Sequence, residues 1–199
     1  MKLYSNPASP FARKCRIILH ELDIKTEIVN VNARDDESLR KINPLKKIPA
    51  LALDDGSVLF DSRVICEYLN HVGNGRFFPG MSIFSVHSGR WKALTLQALA
   101  DGIMDAAVAC RYEQVQPDEK RNLDFINRYR LTISASLDAL EKIKFAETPT
   151  IGEIASGCAL GYLDFRYPDI PWRALHPKLA AWYEGFSQFP SMQSTVPHT

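Results

Sequence analysis

Three short stretches in the first third of the chain hold residue types that can do chemistry. The first is Ser9-Pro10-Phe11-Ala12-Arg13-Lys14, ahead of an apolar-periodic run. Serine then proline before such a run is a helix start: the hydroxyl caps, and proline fits the first turn without forfeiting a needed N–H. The hydroxyl then lies among unpaired N–H groups at the positive end of a helix dipole, a place that favours anions, thiolates included. A serine that only caps would leave the same signature. The second stretch is Asn43-Pro44-Leu45-Lys46-Lys47-Ile48-Pro49, a loop that enters a strand through proline. A cis Ile48-Pro49 bond would turn the backbone N–H and C=O of Ile48 outward, toward an extended ligand; a trans proline at a strand start is the plainer alternative. The third is Asp61-Ser62, where Ser62 is expected to cap a helix whose N–H groups can take a carboxylate, while Asp61 offers charge to an amine. Simple capping would again explain the pair.

These residues need a scaffold, and the hydrophobic pattern supplies one. Residues 2–5 read as a strand, 10–22 as a helix with Phe11, Cys15, Ile18, Leu19 and Leu22 inward, and 26–31 as a second strand. Two apolar runs, 49–53 and 57–60, flank Asp54-Asp55-Gly56, a hairpin signal. A helix over 62–71 follows, with Val64, Ile65, Tyr68 and Leu69 inward; Gly73 ends it. With one short helix expected in the polar stretch 32–43, the order βαβαββα makes a small α/β domain over residues 1–78, with 74–79 as a linker. An all-helical domain over 83–199 comes next. It opens with a long helix from Ile83 to Cys110, continues with an amphipathic one carrying Ile126, Tyr129, Ile133, Leu137 and Leu140, and includes an all-round apolar helix over 150–165. That apolar helix starts on Thr150-Ile151-Gly152-Glu153, a capping box. Leu179, Trp182, Tyr183 and Phe186 mark a last helix.

Composition narrows the function. Net charge is +1, from 24 basic and 23 acidic residues without a long like-charge block, which argues against nucleic acid as the main partner. No uninterrupted apolar run approaches the roughly 20 residues of a membrane span. The first strand begins within two residues of the N-terminus, so the chain reads as cytoplasmic. The four cysteines are scattered, and the five histidines lack zinc-site spacing, so no metal is expected.

The serine motif, Ile48-Pro49 and Asp61-Ser62, in this order and ahead of an all-helical half, resemble the glutathione S-transferase family over essentially the whole chain. The resemblance implies a thioredoxin-like first domain, a helical-bundle second domain, and a homodimer with glutathione as co-substrate at each domain interface. It implies that Ser9 faces the glutathione sulfur, as in bacterial members with serine there. Ile48, before cis-Pro49, would pair with the cysteinyl part. Asp61 and Ser62 would hold the γ-glutamyl end, Lys47 would face the glycyl carboxylate, and Phe11 would border the site. A small hydrophobic electrophile would lie between the Ser9–Phe11 turn and the long helix, near Asp105 and Tyr112. Asp101, Asp105, Arg111 and Tyr112 equally suit a solvated face or a dimer contact. Lys46 stands where the family's loop usually has glycine and is expected to alter that loop. Glu153 replaces the usual capping-box aspartate.

Ser9 fits an activator better than a nucleophile, because no base is marked beside it. A hydrogen bond to a charged sulfur contributes about 1.5–3 kcal/mol and a helix N-terminus about 0.3–1. At about 1.36 kcal/mol per pKa unit, a thiol near 8.5 falls by roughly 1–3 units, to neutrality or below. The bound thiolate would conjugate to the electrophile, the chemistry of detoxification. Two alternatives stand beside this reading. One is a binding protein of the same architecture, resembling the stringent-starvation proteins that associate with RNA polymerase. The other, a glutathione-dependent thiol reductase, needs a cysteine at the Ser9 position.

Overall fold

A computed structural model describes residues 1–80 and 89–199. Among these residues, strands occur only before residue 61, and only helices joined by turns and loops follow it. Four strands form one mixed sheet in the order β2-β1-β3-β4. The central strand β1 (Lys2–Ser5) pairs parallel with β2 (Glu27–Asn30) and antiparallel with β3 (Ala50–Ala52); β3 pairs antiparallel with β4 (Val58–Leu59). This is the thioredoxin-like arrangement that the resemblance implies. The strands are shorter than the apolar runs suggest, because ladder pairing stops before the side-chain pattern does.

Register decides where the loops emerge. Tyr4 pairs with Ala50 and Leu51 with Leu59, so the end of β1, the start of β3 and the end of β4 share one edge of the sheet. β2 runs parallel to β1, so its exit reaches that edge too; the Val31 N–H donates to the Ser5 carbonyl at 2.8 Å. Four connections therefore converge on one side: the turn before α1 (Pro10–Glu21), the loop after β2, the loop before β3, and the turn before α2 (Ser62–Val72).

Helix α1 buries Cys15, Ile17 and Ile18 against α2, which turns Ile65, Cys66 and Leu69 inward. Val64, expected inward, is exposed. It lies off the row that Ile65 and Leu69 share at i, i+4.

The second half comprises α3 (Gly89–Gln114), α4 (Leu123–Leu140), α5 (Ile151–Arg166), α6 (Trp172–Leu175), α7 (Pro177–Phe186) and α8 (Pro190–Gln193). The expected start of the long helix at Ile83 lies outside the described residues. Helix α3 has the length and composition of a membrane span, but its Leu96, Ala100, Ile103, Ala107 and Cys110 are core residues packed on α4 and α5. Helix α5 is buried continuously from Ile151 to Leu163, as its unbroken apolar pattern predicts. Its capping box forms: the Thr150 N–H donates to Glu153 Oε2 at 2.9 Å, and the Gly152 N–H to Thr150 Oγ1 at 3.2 Å. The one-turn helices α6 and α8 have no periodic signal and arise from local prolines and packing.

Helix α1 is fastened to the second half by a buried arginine. Arg13 Nη2 donates to the Met192 carbonyl at 3.0 Å and Nε to Thr195 Oγ1 at 3.3 Å. Only glycine fits at position 161, where a Cβ would stand 2.2 Å from Arg13 Nη1. The helix bearing Ser9 is thereby set against both halves.

Candidate functional site

Ser9 is the N-cap of α1. Its backbone is extended, and its Oγ accepts from the Ala12 N–H at 3.2 Å. The hydroxyl thus stands at the positive end of a 12-residue helix, half-buried and not sealed. Phe11, the second residue of the helix, is half-buried, with the Lys14 ammonium 6.0 Å from its ring centroid.

The Ile48–Pro49 peptide bond is cis, as is Phe60–Asp61. Among the described residues the N–H and C=O of Ile48 have no backbone partner, and Pro49 is buried where β3 begins. Asn43 organises the loop: its Oδ1 accepts from the Leu45 N–H at 3.0 Å, and its Nδ2 donates to the Lys47 carbonyl at 2.8 Å. Lys46 has φ +51°, the left-handed region that favours glycine, so lysine here keeps a conformation that glycine would take freely. Its ammonium binds Glu37 and donates to the Arg34 carbonyl at 3.0 Å, which braces this loop against the one after β2. The Lys47 side chain is exposed.

The cap of α2 is Asp61, not Ser62. The Arg63 N–H donates to Asp61 Oδ1 at 2.9 Å, and Ser62 is the first helical residue, 2% exposed. Both residue types cap well; the extended backbone at Asp61 decides between them.

The opposite wall is one stripe of α3. Asp101, Asp105, Val108 and Tyr112 recur at i, i+4, i+7 and i+11, so they share a face. That face looks at the first domain. Asp101, expected on a solvated face or a dimer contact, is buried instead. Its Oδ1 accepts from Lys14 Nζ at 2.5 Å and its Oδ2 from Arg63 Nε at 2.7 Å. Lys14 is 0% exposed and Asp101 2%, so the pair is sealed. Burial works to lower the Lys14 pKa, but the charge of Asp101 and its hydrogen bond outweigh this and hold the ammonium above its ordinary value. The Asp105 carboxyl is raised, by partial burial first and then by neighbouring Asp101; Arg63, Lys47 and Lys14 oppose the rise. At the far end, the Arg34 guanidinium lies 5.0 Å from the Tyr112 ring centroid, joining the loop after β2 to α3. Ser9, Ile48, Pro49, Asp61 and Ser62 thus gather at one sheet edge, with Lys47 beside them, and Asp105 and Tyr112 face that edge across the interdomain cleft.

Residues 3–76 match the glutathione S-transferase N-terminal domain and residues 124–185 the glutathione S-transferase C-terminal domain. The GST-like protein YibF of Escherichia coli K12 is 33% identical over 99% of this chain and 98% of its own. The chain belongs to the glutathione S-transferase family.

Within the family, a crystal structure of a member from Pseudomonas fluorescens Pf-5 with bound glutathione superposes at a TM-score of 0.93, with 44% identity over 100% of this chain and 99% of that one. A second Pseudomonas fluorescens Pf-5 structure, with bound S-(propanoic acid)-glutathione, gives 0.88 and 43% over the whole of both chains. A stringent starvation protein A homolog of Coxiella burnetii is 42% identical over 71 residues, 35% of this chain and 34% of its own.

Sequence reasoning missed the Lys14–Asp101–Arg63 triad and the Arg34–Tyr112 stack in this family member. A signal for the first was present: Asp101 interrupts the apolar run from Leu96 to Ala107, and a carboxylate in a core helix needs a cation. The second had none, since Arg34 lies in a polar loop. Among the described residues no cluster of His, Cys, Asp or Glu is placed to hold a metal.

Proposed function

We propose that the chain is a glutathione transferase in which Ser9 stabilises the glutathione thiolate for attack on a small electrophile. The observation that carries the reading is the convergence, at one sheet edge, of a half-buried serine hydroxyl on a helix N-terminus, an Ile48 backbone left without a backbone partner before cis-Pro49, and the Asp61-capped start of α2. Glutathione is an extended peptide with a carboxylate and ammonium at one end, a thiol in the middle and a second carboxylate at the other. Ser62 and the first N–H groups of α2 suit the γ-glutamyl carboxylate, and the exposed Asp61 carboxylate its ammonium. Ile48 suits the cysteinyl backbone and Lys47 the glycyl carboxylate. Ser9 then meets the sulfur. The thiolate forms a bond from sulfur to the electrophilic carbon, and a leaving group such as halide departs with the bonding electron pair. The Pseudomonas relatives support the reading through their bound glutathione and their bound S-substituted glutathione.

Helix α2 exposes Val64 and α3 exposes Trp91, apolar side chains open to the homodimer contact that family resemblance implies; sedimentation at micromolar concentration tests it. The local likeness to a stringent starvation protein A homolog favours a second reading, a binding protein without turnover. Retention on immobilised glutathione, followed by turnover of glutathione with an aryl halide, decides between the two. Elution with free glutathione and saturable conjugation are expected. A folded protein that is not retained and does not turn over would transfer the case to the binding reading.

A further inference from the structure

The first-domain side chains that reach the α3 stripe are cations: Lys14 and Arg63 on Asp101, Lys47 near Asp105, and Arg34 on Tyr112. Each can be asked what it neutralises. Lys14 and Arg63 are consumed by the two oxygens of Asp101. Under the proposed function, Lys47 and the start of α2 account for the two carboxylates of glutathione. Arg34 is left over. Among the described residues it pairs with no carboxylate, although the loop that carries it is braced: its carbonyl is held by Lys46 Nζ, and its N–H donates to Asn32 Oδ1 at 3.2 Å.

Two further arginines lie in the surroundings of Tyr112. Arg111 and Arg166 both lie near Tyr162, as Tyr112 does, and the Arg166 guanidinium stands 3.8 Å from the Phe165 ring centroid. Neither arginine pairs with a carboxylate among the described residues. Of the acidic groups in this region, Glu37 is paired by Lys46 and Arg40 and Asp164 by Arg173, while Asp35, Asp36 and Glu113 keep their charge but are turned to local amide, hydroxyl or N–H donors and not to Arg34. Asp105 is the acidic group left facing the cleft. An apolar electrophile gains nothing from an unpaired guanidinium. A guanidinium that lies 5.0 Å from an aromatic ring centroid and pairs with no carboxylate keeps its N–H donors available to a planar carboxylate.

We infer that the electrophile end of this cleft selects small electrophiles that carry a carboxylate, with Arg34, seated on Tyr112, as the recognising cation. Haloalkanoates fit this class: the thiolate sulfur bonds to the halogen-bearing carbon, halide leaves with the electron pair, and no oxidant or reductant is needed. The inference rests on the glutathione reading above and narrows its second substrate.

Titration calorimetry with three ligands tests it: glutathione, S-propylglutathione and S-(2-carboxyethyl)glutathione, the last two differing in one terminal carboxylate. The carboxylate adduct is expected to bind about fivefold or more tightly than the propyl adduct at low ionic strength, with the ratio shrinking as salt rises. In Arg34→Met the ratio should fall toward one. Equal binding of both adducts by the native chain, with glutathione bound, overturns the inference and leaves the glutathione reading intact. If Arg34→Met weakens glutathione as much as the carboxylate adduct, Arg34 serves the glycyl end and the inference is likewise overturned. Failure of all three ligands to bind removes both readings together.

Discussion

The α3 stripe meets the first domain at two ends, and the two contacts are built from the same kind of cation with opposite outcomes. At Asp101 the carboxylate and the Lys14 ammonium are sealed from water, with both carboxylate oxygens bound and Arg63 reaching in from the surface. At Tyr112, half exposed, Arg34 rests on the ring with its own charge open to solvent. Removing ions from water costs several kcal/mol each, so the sealed end is stable only while complete. The open end has no such constraint, and its cation remains available to a ligand. Burial, not residue type, separates an interdomain clamp from a recognition surface.

The largest expected effect lies at the sealed end. Asp101→Asn keeps the shape but leaves the Lys14 ammonium buried without its counter-charge, and should cost about 3–5 kcal/mol in denaturant unfolding. A loss below about 1 kcal/mol would show that water reaches the triad. The double variant Lys14→Met/Asp101→Leu should recover much of the loss, since apolar replacement of a buried pair is often neutral. The pH dependence sharpens the same point. A group raised in the folded state contributes stability that is full below its unfolded pKa and is lost as pH rises through its folded one. Lys14 is held up by Asp101, and burial pushes the Cys158 thiol up to about 11. On these groups, thermal stability should hold from pH 7 to about 8.5, the ordinary thiol value, and decline through the alkaline range. A rise in stability above pH 9 would contradict the assignment.

Next comes Ser9, the cap of α1. Ser9→Ala should raise the pKa of bound glutathione toward its free value and slow conjugation at pH 7 by about tenfold or more, from roughly 1.5–3 kcal/mol of lost charge stabilisation. The thiolate absorbance of the complex, titrated for each variant, measures this. Ser9→Thr keeps a hydroxyl and should restore most of it. Identical titration curves for serine and alanine would reduce Ser9 to a cap worth about 1 kcal/mol of stability.

Asp61 should matter less. Asp61→Asn keeps the α2 cap and removes only the charge, so glutathione affinity should fall about fivefold while stability stays within about 0.5 kcal/mol. Asp61→Ala removes the cap as well and should cost about 1 kcal/mol more. An unchanged dissociation constant for the asparagine variant would end its role at the ammonium. The smallest effect belongs to the open end: Arg34→Met should change unfolding free energy by less than about 0.5 kcal/mol. A loss comparable to that of Asp101→Asn would erase the contrast between the two contacts.

What the sequence determined by itself is what neighbouring residues settle among themselves. The Ser9 cap, the Thr150–Glu153 box and the Asp55-Gly56 hairpin, with Gly56 at φ +87°, are interactions closed within four residues, so type and spacing suffice to read them. The alternation of strands and helices, and the unbroken burial of α5, follow from periodicity in the same way. Tertiary structure decided everything whose partner is distant. Lys14 finds Asp101 across 87 residues, and only the packing of α1 on α3 makes Asp101 a clamp in place of a solvated acid. The exit of β4 decided that Asp61, not Ser62, caps α2, and the α1–α2 packing decided that Val64 faces outward. Arg34 belongs to a loop without pattern, and it became part of the cleft because β2 runs parallel to β1 and delivers that loop to the edge where Ser9 lies. A local signal is written in adjacent side chains; a long-range contact is written in the register of the sheet and the seat of the helices, which no short stretch of sequence contains.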